Sequence, residues 1–307
     1  MESHRIIRSP LFYVGDKYKL LKEILPLFPE KIENFYEPFV GGGSVFLNVD
    51  AKKYFLNDLN SDLIQLQVSL QKNSKSTISL VSRYEKIAKK YGLSLSYLSN
   101  DVSDELKKKY PKTYFSHFNK IAYNKLRNYY NASKKRSPDL LYLLIIYGFN
   151  RMIRFNSKGY FNLPVGNVDF NANVVKALSE YERIIKTKDI VWSSLDFEDF
   201  IKGITFNKDD FIYIDPPYLI TSSEYNKIWT EKEESRLLSL LDRLDKRGVK
   251  FAISNVITYK NKTNHIFESW SKNYIVSEIS SNYISFNDNT KKNFREVLVV
   301  NYEKARI

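Results

Sequence analysis

The sequence predicts an α/β fold in which one sheet domain is assembled from both ends of the chain and a mostly helical module is inserted between them. Three observations predict it. Short apolar runs ending in polar turns occupy residues 34–60. A Lys-, Ser- and Leu-rich stretch then runs with helical spacing from about Ser61 to Asn131. A strand-and-helix texture returns from Asp189 onward. The boundaries expected from these changes are residues 1–60 and 186–307 for the sheet domain and 61–185 for the helical one.

Asn34-Phe35-Tyr36-Glu37 and Tyr54-Phe55-Leu56-Asn57-Asp58 are the first two strand candidates. In the helical stretch, Ile64, Leu66, Val68 and Leu70 are followed by Ile78, Val81, Tyr84, Ile87 and Ala88 at near-helical spacing. The dense apolar run from Leu140 to Phe149 is long enough for a buried helix. Phe211 to Ile214 is a compact buried strand. Glu231 to Arg247 is amphipathic, with Leu237, Leu238, Leu240, Leu241 and Leu244 on one side. Gly248 stops that helix, and Val249 to Ile253, Tyr274 to Ile279 and Glu296 to Tyr302 follow as strands.

Composition narrows the chemistry. A hydrophobic fraction of 43% is that of a globular protein. The net charge of +13 calls for a polyanionic partner, either nucleic acid or an anionic membrane surface. With no cysteine, disulfides, thiolate zinc sites and cysteine nucleophiles are excluded. The three histidines, His4, His117 and His265, are too scattered to suggest a metal site. No apolar run is long enough to span a bilayer and Met1–Pro10 lacks a signal-peptide pattern, so a cytoplasmic location is expected.

Two segments carry the chemistry. In Glu37-Pro38-Phe39-Val40-Gly41-Gly42-Gly43-Ser44, three glycines after a strand let the backbone turn tightly and approach a ligand. Phe46 stands where a dinucleotide fingerprint needs its third glycine, which argues against a nicotinamide or flavin site. An ordinary tight turn is the plain alternative. Asp58, at the end of the next strand, suits a ribose or, alternatively, a helix cap. The second segment is Asp215-Pro216-Pro217-Tyr218. Its prolines stiffen the backbone and remove two N–H donors, leaving carbonyls and a carboxylate to accept from an amino group. Tyr218 offers a face on which a planar ring can stack.

Together these segments resemble the Dam-type adenine-N6 DNA methyltransferases, of the D12 class that includes phage enzymes. Tyr13-Val14-Gly15-Asp16-Lys17 resembles the family's Trp-Ala-Gly-Gly-Lys cofactor motif. Residues 150–166, from Asn150 to Gly166, resemble its DNA-recognition segment, and Leu219-Ile220-Thr221 with Glu224-Tyr225-Asn226-Lys227 resemble the phage-type enzymes most. The resemblance covers nearly the whole chain. Three departures stand out: Tyr13 for Trp, Asp16 for a glycine that could need a positive φ, and Asn167-Val168 where relatives place basic or aromatic residues.

The resemblance implies a Rossmann-like, S-adenosylmethionine-dependent sheet with residues 61–185 as a target-recognition domain. It implies methyl transfer to N6 of an adenine flipped out of duplex DNA, within GATC or a GAT-containing site, releasing S-adenosylhomocysteine. Asp215 and the Pro216 carbonyl would accept the two N6 hydrogens, with Tyr218 stacking on the base. Tyr13, Lys17, Phe39, Gly41, Gly42, Gly43, Asp58, Phe197 and Asp215 would line the cofactor pocket, Phe197 having plain core as its alternative. Asn150, Arg154, Asn156 and Pro164 would face DNA, Arg154 reading a guanine. Arg151, Lys158, Lys291, Lys292 and Arg295 would contact phosphates, solvated basic surface being the alternative for each. Cytosine N4 or RNA adenine would suit the same acceptor loop. No metal is implied, and a cognate restriction endonuclease acting separately is the protein partner the family allows.

Overall fold

The computed structural model describes residues 5–98, 102–221, 229–279 and 294–303. Its strands are β1 (Asn34–Glu37), β2 (Lys53–Asn57), β3 (Asp189–Ser193), β4 (Phe211–Ile214), β5 (Lys250–Tyr259), β6 (Lys262–Thr263), β7 (Ile275–Ile279) and β8 (Phe294–Val300). The helices are α1 (Leu21–Ile24), α2 (Ser61–Ser74), α3 (Leu80–Tyr91), α4 (Asp104–Lys109), α5 (Tyr114–Ala132), α6 (Pro138–Ile146), α7 (Ala172–Ile185), α8 (Phe197–Lys202), α9 (Glu231–Lys246) and α10 (His265–Ser271). Two compact units result. A helical unit comprises Met1–Tyr18, Gly41–Leu47 and Asn60–Lys188; a sheet unit comprises Lys19–Val40, Asn48–Leu59 and Asp189–Ile307.

The sheet unit is built on the order β3-β2-β1-β4-β5-β8-β7, with β6 paired to β5. The β3–β2, β2–β1, β1–β4 and β4–β5 pairs are parallel, whereas β8 runs antiparallel to both β5 and β7. Strands covered on both faces read as continuous apolar runs. Accordingly β4 is buried at every residue and β1 at three of its four. The α/β expectation is borne out. Strand order reverses between β1 and β4, so the crevice beyond their carboxyl ends is the place where such sheets bind ligands.

Helix α9 forms as its sequence directs. The Thr230 hydroxyl accepts from Glu233 N at 3.4 Å, three glutamates occupy the first turn, and the leucine stripe faces the core. Gly248, at φ +71°, turns the chain into β5. Within that core lies a fully buried Glu234. Its Oε2 accepts from Trp229 Nε1 at 2.6 Å, and its Oε1 accepts from Asn255 Nδ2 at 2.9 Å and Asn264 Nδ2 at 2.7 Å. Burial raises its pKa and the three donors oppose the rise. One carboxylate thus ties α9 to β5 and to the residue that caps α10.

In the helical unit α6 is apolar all round, with Leu140 to Ile146 buried without a break. The expected helix to Phe149 stops earlier. Tyr147 closes α6, and Gly148 turns extended (φ −80°, ψ 155°) to bridge Val165. Phe149 is left half exposed, at 52%. Strand β5 also exceeds its predicted Val249–Ile253, because Ser254 and Asn255 are buried and continue the pairing with β8. Among the described residues, no helix is long and apolar enough to cross a membrane.

Gly148 permits a close approach: a Cβ there would lie 2.5 Å from the Leu144 carbonyl oxygen and 2.6 Å from Leu163 Cδ2. Gly148→Ala is expected to destabilise the protein by about 1–3 kcal/mol, read as a lower denaturation midpoint with little change in m-value.

Candidate active site and nucleic-acid interface

The ends of β1, β2 and β3 are fastened by one side chain. Asn57, fully buried, donates from Nδ2 to the carbonyls of Pro38 at 3.0 Å and Leu195 at 2.9 Å. Its Oδ1 accepts from Leu195 N and Ser193 Oγ, each at 2.9 Å. Asp58 follows directly, its amide donating to Ser193 O at 3.4 Å. Asp58 does not cap α2: Asn60 does, its side chain accepting from Leu63 N at 3.2 Å. The capping alternative for Asp58 is therefore removed.

Phe39, half-buried, packs in a tilted contact with Phe197, centroids 5.5 Å apart, and edge-on to Trp229 at 5.6 Å. Phe197 is buried and belongs to the sheet unit's core, with the Arg236 guanidinium 4.3 Å from its ring centroid. Trp229 in turn is fixed by Glu234. No sequence signal marked Trp229, because a tryptophan beside a helix cap reads as ordinary core.

Beyond β4, the half-buried Asp215 and Tyr218 face each other: the Tyr218 hydroxyl is 3.0 Å from Asp215 Oδ1 and also 3.0 Å from Glu296 Oε1. Glu296 is 2% exposed. Burial, then the Asp215 and Glu296 carboxylates, push the Tyr218 phenol well up, so it stays protonated. Tyr213 lies fully buried in β4, its hydroxyl 2.8 Å from Ser254 Oγ. Glu296 was not among the predicted residues, although one acid opening the run Val297-Leu298-Val299-Val300 was the signal to notice.

In the helical unit the glycine loop has φ +49° at Gly41 and +79° at Gly43. A Cβ at Gly41 would meet nothing within 4 Å, whereas one at Gly42 would lie 2.8 Å from Tyr13 Cβ and one at Gly43 2.4 Å from Phe46 Cε1. Gln67 Nε2 donates to Gly41 O at 3.2 Å, and the Ser9 hydroxyl donates to Gly42 O. The Gly41 backbone is thus open on the side where a side chain would stand. Tyr13 and Lys17 are both buried. Between them the positive φ falls on Gly15, at +79°, and not on Asp16, whose Oδ1 instead accepts from Tyr18 N at 3.2 Å.

Residues 148–166 fold back on themselves through the bridges Gly148–Val165 and Phe155–Phe161. Asn156 shapes the tip: its Oδ1 accepts from Lys158 N and Tyr160 N, both at 3.0 Å, and Lys158 is exposed there. Arg154 donates from Nε to Asn162 Oδ1 at 3.0 Å and from Nη2 to Asn162 O at 3.1 Å. That engages its side-on edge and holds the guanidinium plane. Pro164 is exposed, and its carbonyl accepts from Phe149 N at 2.9 Å.

A cavity of about 490 Å³ is lined by both polar and apolar groups, among them Arg8, Phe12, Phe149, Asn150, Arg151 and Asn167. The Phe12 ring has Arg8 4.4 Å and Arg151 4.2 Å from its centroid. Phe12, Asn150 and Arg151 all have positive φ, between 49° and 54°. Strain at three non-glycine residues around one cavity is the pattern found at ligand clamps. Burial lowers the Arg151 pKa to about 10, which still leaves it charged at neutral pH. Arg295 donates from Nε to Glu278 Oε1 on β7 at 2.7 Å. Lys291, Lys292 and the Glu224–Lys227 motif lie outside the described residues.

A mostly parallel sheet with its acceptor loop beyond a switch-point strand defines a Rossmann-like enzyme class. The chain belongs to the D12 class N6 adenine-specific DNA methyltransferase family, whose profile matches residues 13–283. It is 34% identical over 310 residues to the type II methyltransferase M.FokI of Planomicrobium okeanokoites, covering 98% of this chain and 44% of that protein. It is 36% identical over 311 residues to the modification methylase StsI of Streptococcus sanguinis, covering 97% and 43%. A DNA adenine methylase of Haemophilus influenzae is 32% identical over 223 residues, covering 71% of this chain and 66% of that one. The chain spans a little under half the length of the first two.

The glycine loop gives a graded expectation. Gly43→Ala combines a positive φ with a collision and should cost about 1–3 kcal/mol more in denaturant unfolding than Gly41→Ala, which has the φ penalty alone. Equal losses would mean that the Phe46 ring moves aside freely.

Proposed function

We propose that this chain methylates N6 of adenine in duplex DNA, taking the methyl group from S-adenosylmethionine and leaving S-adenosylhomocysteine. The observation that carries the reading is the Asp215-Pro216-Pro217-Tyr218 turn beyond β4, a stiff acceptor group at the switch point of the sheet. Family membership supports the reading independently.

The N6 lone pair of adenine is delocalised into the ring. Asp215 and the Pro216 carbonyl accept its two hydrogens, oppose the delocalisation and stabilise the positive charge that develops on nitrogen. Tyr218 offers its ring to the base. An adenine inside a duplex is out of reach, so flipping at a cost of about a few kcal/mol is part of the proposal, offset by roughly 1–3 kcal/mol of stacking.

The open Gly41 backbone fits a bulky cofactor. When bound, S-adenosylmethionine supplies an electrophilic methyl group on sulfur. The residues proposed to bind it are Tyr13, Lys17, Phe39, Gly41, Gly42, Gly43, Asp58, Phe197 and Asp215, with Asp58 accepting from the ribose.

Residues 61–185 act as the target-recognition domain. Asn150, Arg151, Asn156, Lys158 and Pro164 face DNA, and the arginine-lined cavity supports this reading; Lys291, Lys292 and Arg295 add phosphate contacts. Arg154, its plane held by Asn162, presents its end-on edge to guanine O6 and N7. The site is GATC or a longer one containing GAT. The setting is the cytoplasm of a bacterial or phage-infected cell, with a separate restriction endonuclease as the partner to look for.

Two measurements test the proposal. Asp215→Ala is expected to abolish methyl incorporation while leaving duplex binding within a few-fold, since phosphate contacts supply most affinity; turnover near that of the wild type would remove Asp215 from the chemistry. Arg154→Ala should slow the cognate duplex by roughly ten- to hundredfold and bring guanine-substituted duplexes closer to it. Lys158→Ala should instead weaken all duplexes alike and slightly flatten the salt dependence. A uniform slowing by Arg154→Ala would make that arginine a backbone clamp.

A further inference from the structure

We propose that Glu296 is a positioning residue of the reacting loop, drawing the Tyr218 hydroxyl proton away from Asp215 so that Asp215 is left to accept from the substrate amino group. The inference rests on the reading of Asp215 as an N6 acceptor. Tyr218 Oη is equidistant, at 3.0 Å, from Asp215 Oδ1 and Glu296 Oε1. A phenol has one hydroxyl proton, so a full hydrogen bond goes to one carboxylate at a time. A proton donated to Asp215 occupies accepting capacity there and draws off negative charge needed opposite the developing cation. A proton donated to Glu296 relieves Asp215 Oδ1 of that one hydrogen bond.

Glu296 is placed to hold this alternative open. It sits in β8, opposite Val256 of β5 and Ile279 of β7, so its backbone is fixed on both sides. It is 2% exposed, and the four residues after it are buried and apolar. An acid in such surroundings carries a desolvation cost that an apolar residue would avoid. The Tyr218 contact gives that acid a task. Arrival of an adenine N6 hydrogen at Asp215 then moves the tyrosine proton to Glu296 by rotation about one C–O bond, and no covalent bond forms or breaks.

The test is a double-mutant cycle in methyl transfer, on the full chain, with kcat and the KM values for DNA and S-adenosylmethionine measured separately. Glu296→Leu should lower kcat about tenfold and leave both KM values within about twofold. Tyr218→Phe removes the competing proton, and on that background Glu296→Leu should change kcat by no more than about twofold. Glu296→Gln keeps the shape and an accepting oxygen, so it should fall between wild type and Glu296→Leu. An equal loss from Glu296→Leu on both backgrounds, or no loss on either, overturns the proposal. If Glu296→Leu does not fold, the same comparison is made with Glu296→Gln: a loss confined to the Tyr218-containing protein upholds the proposal, and an equal or absent loss overturns it. An active Asp215→Ala would instead remove the underlying reading, and with it this one.

Discussion

Asn57 is the fastening on which the sheet unit's working edge depends. Parallel strands end in carbonyls and amides that no neighbour satisfies, and three such ends meet beyond β1, β2 and β3. A buried amide side chain has two donors and an acceptor with two lone pairs, and Asn57 engages all four capacities. Its neighbours inherit their positions from it. Asp58 is the next residue, Phe39 follows the Pro38 carbonyl it binds, and Phe197 lies two residues after Leu195. Removing the side chain would leave several buried groups without partners at once, which is why a small polar residue can sit at the end of an apolar strand.

The same unit uses buried acids in two different ways. Glu234 receives three donors and serves as a structural knot. Glu296 and Asp215 each lie 3.0 Å from the one Tyr218 hydroxyl, whose proton goes fully to only one of them at a time.

The fold class and the two candidate loops were legible in the sequence because each rests on a local signal. Strand β4 is a continuous apolar run, as burial on both faces demands, and β1 has its aromatic pair Phe35-Tyr36 at its centre. The loops after them carry glycines or prolines that change backbone rules. What could not be read was settled by partners distant in sequence. Strand β5 runs on past Ile253 because the buried Asn255 is satisfied by Glu234, a partner 21 positions away. The apolar run through Phe149 looked helical to its end because nothing local shows that Gly148 will pair with Val165. Glu296 lay inside an expected strand, and only its distance to Tyr218 gives it significance. The cap of α2 could have been read as Asp58, whereas Asn60, two residues later, holds that place.

The interleaving of the two units has a consequence for how the chain acquires its structure. The chain passes between the units five times, and the glycine-loop segment Gly41–Leu47 is bounded on both sides by stretches of the sheet unit. Asn34, the first residue of β1, donates to a carboxylate oxygen of Asp210, 176 positions later. During synthesis β1 therefore emerges long before its partner β4, and must remain one-sided while the whole helical segment is made. Closure of so long a loop is costly and slow. An N-terminal fragment ending before β4 would leave β1, which is paired on both sides in the complete sheet, with one edge uncovered.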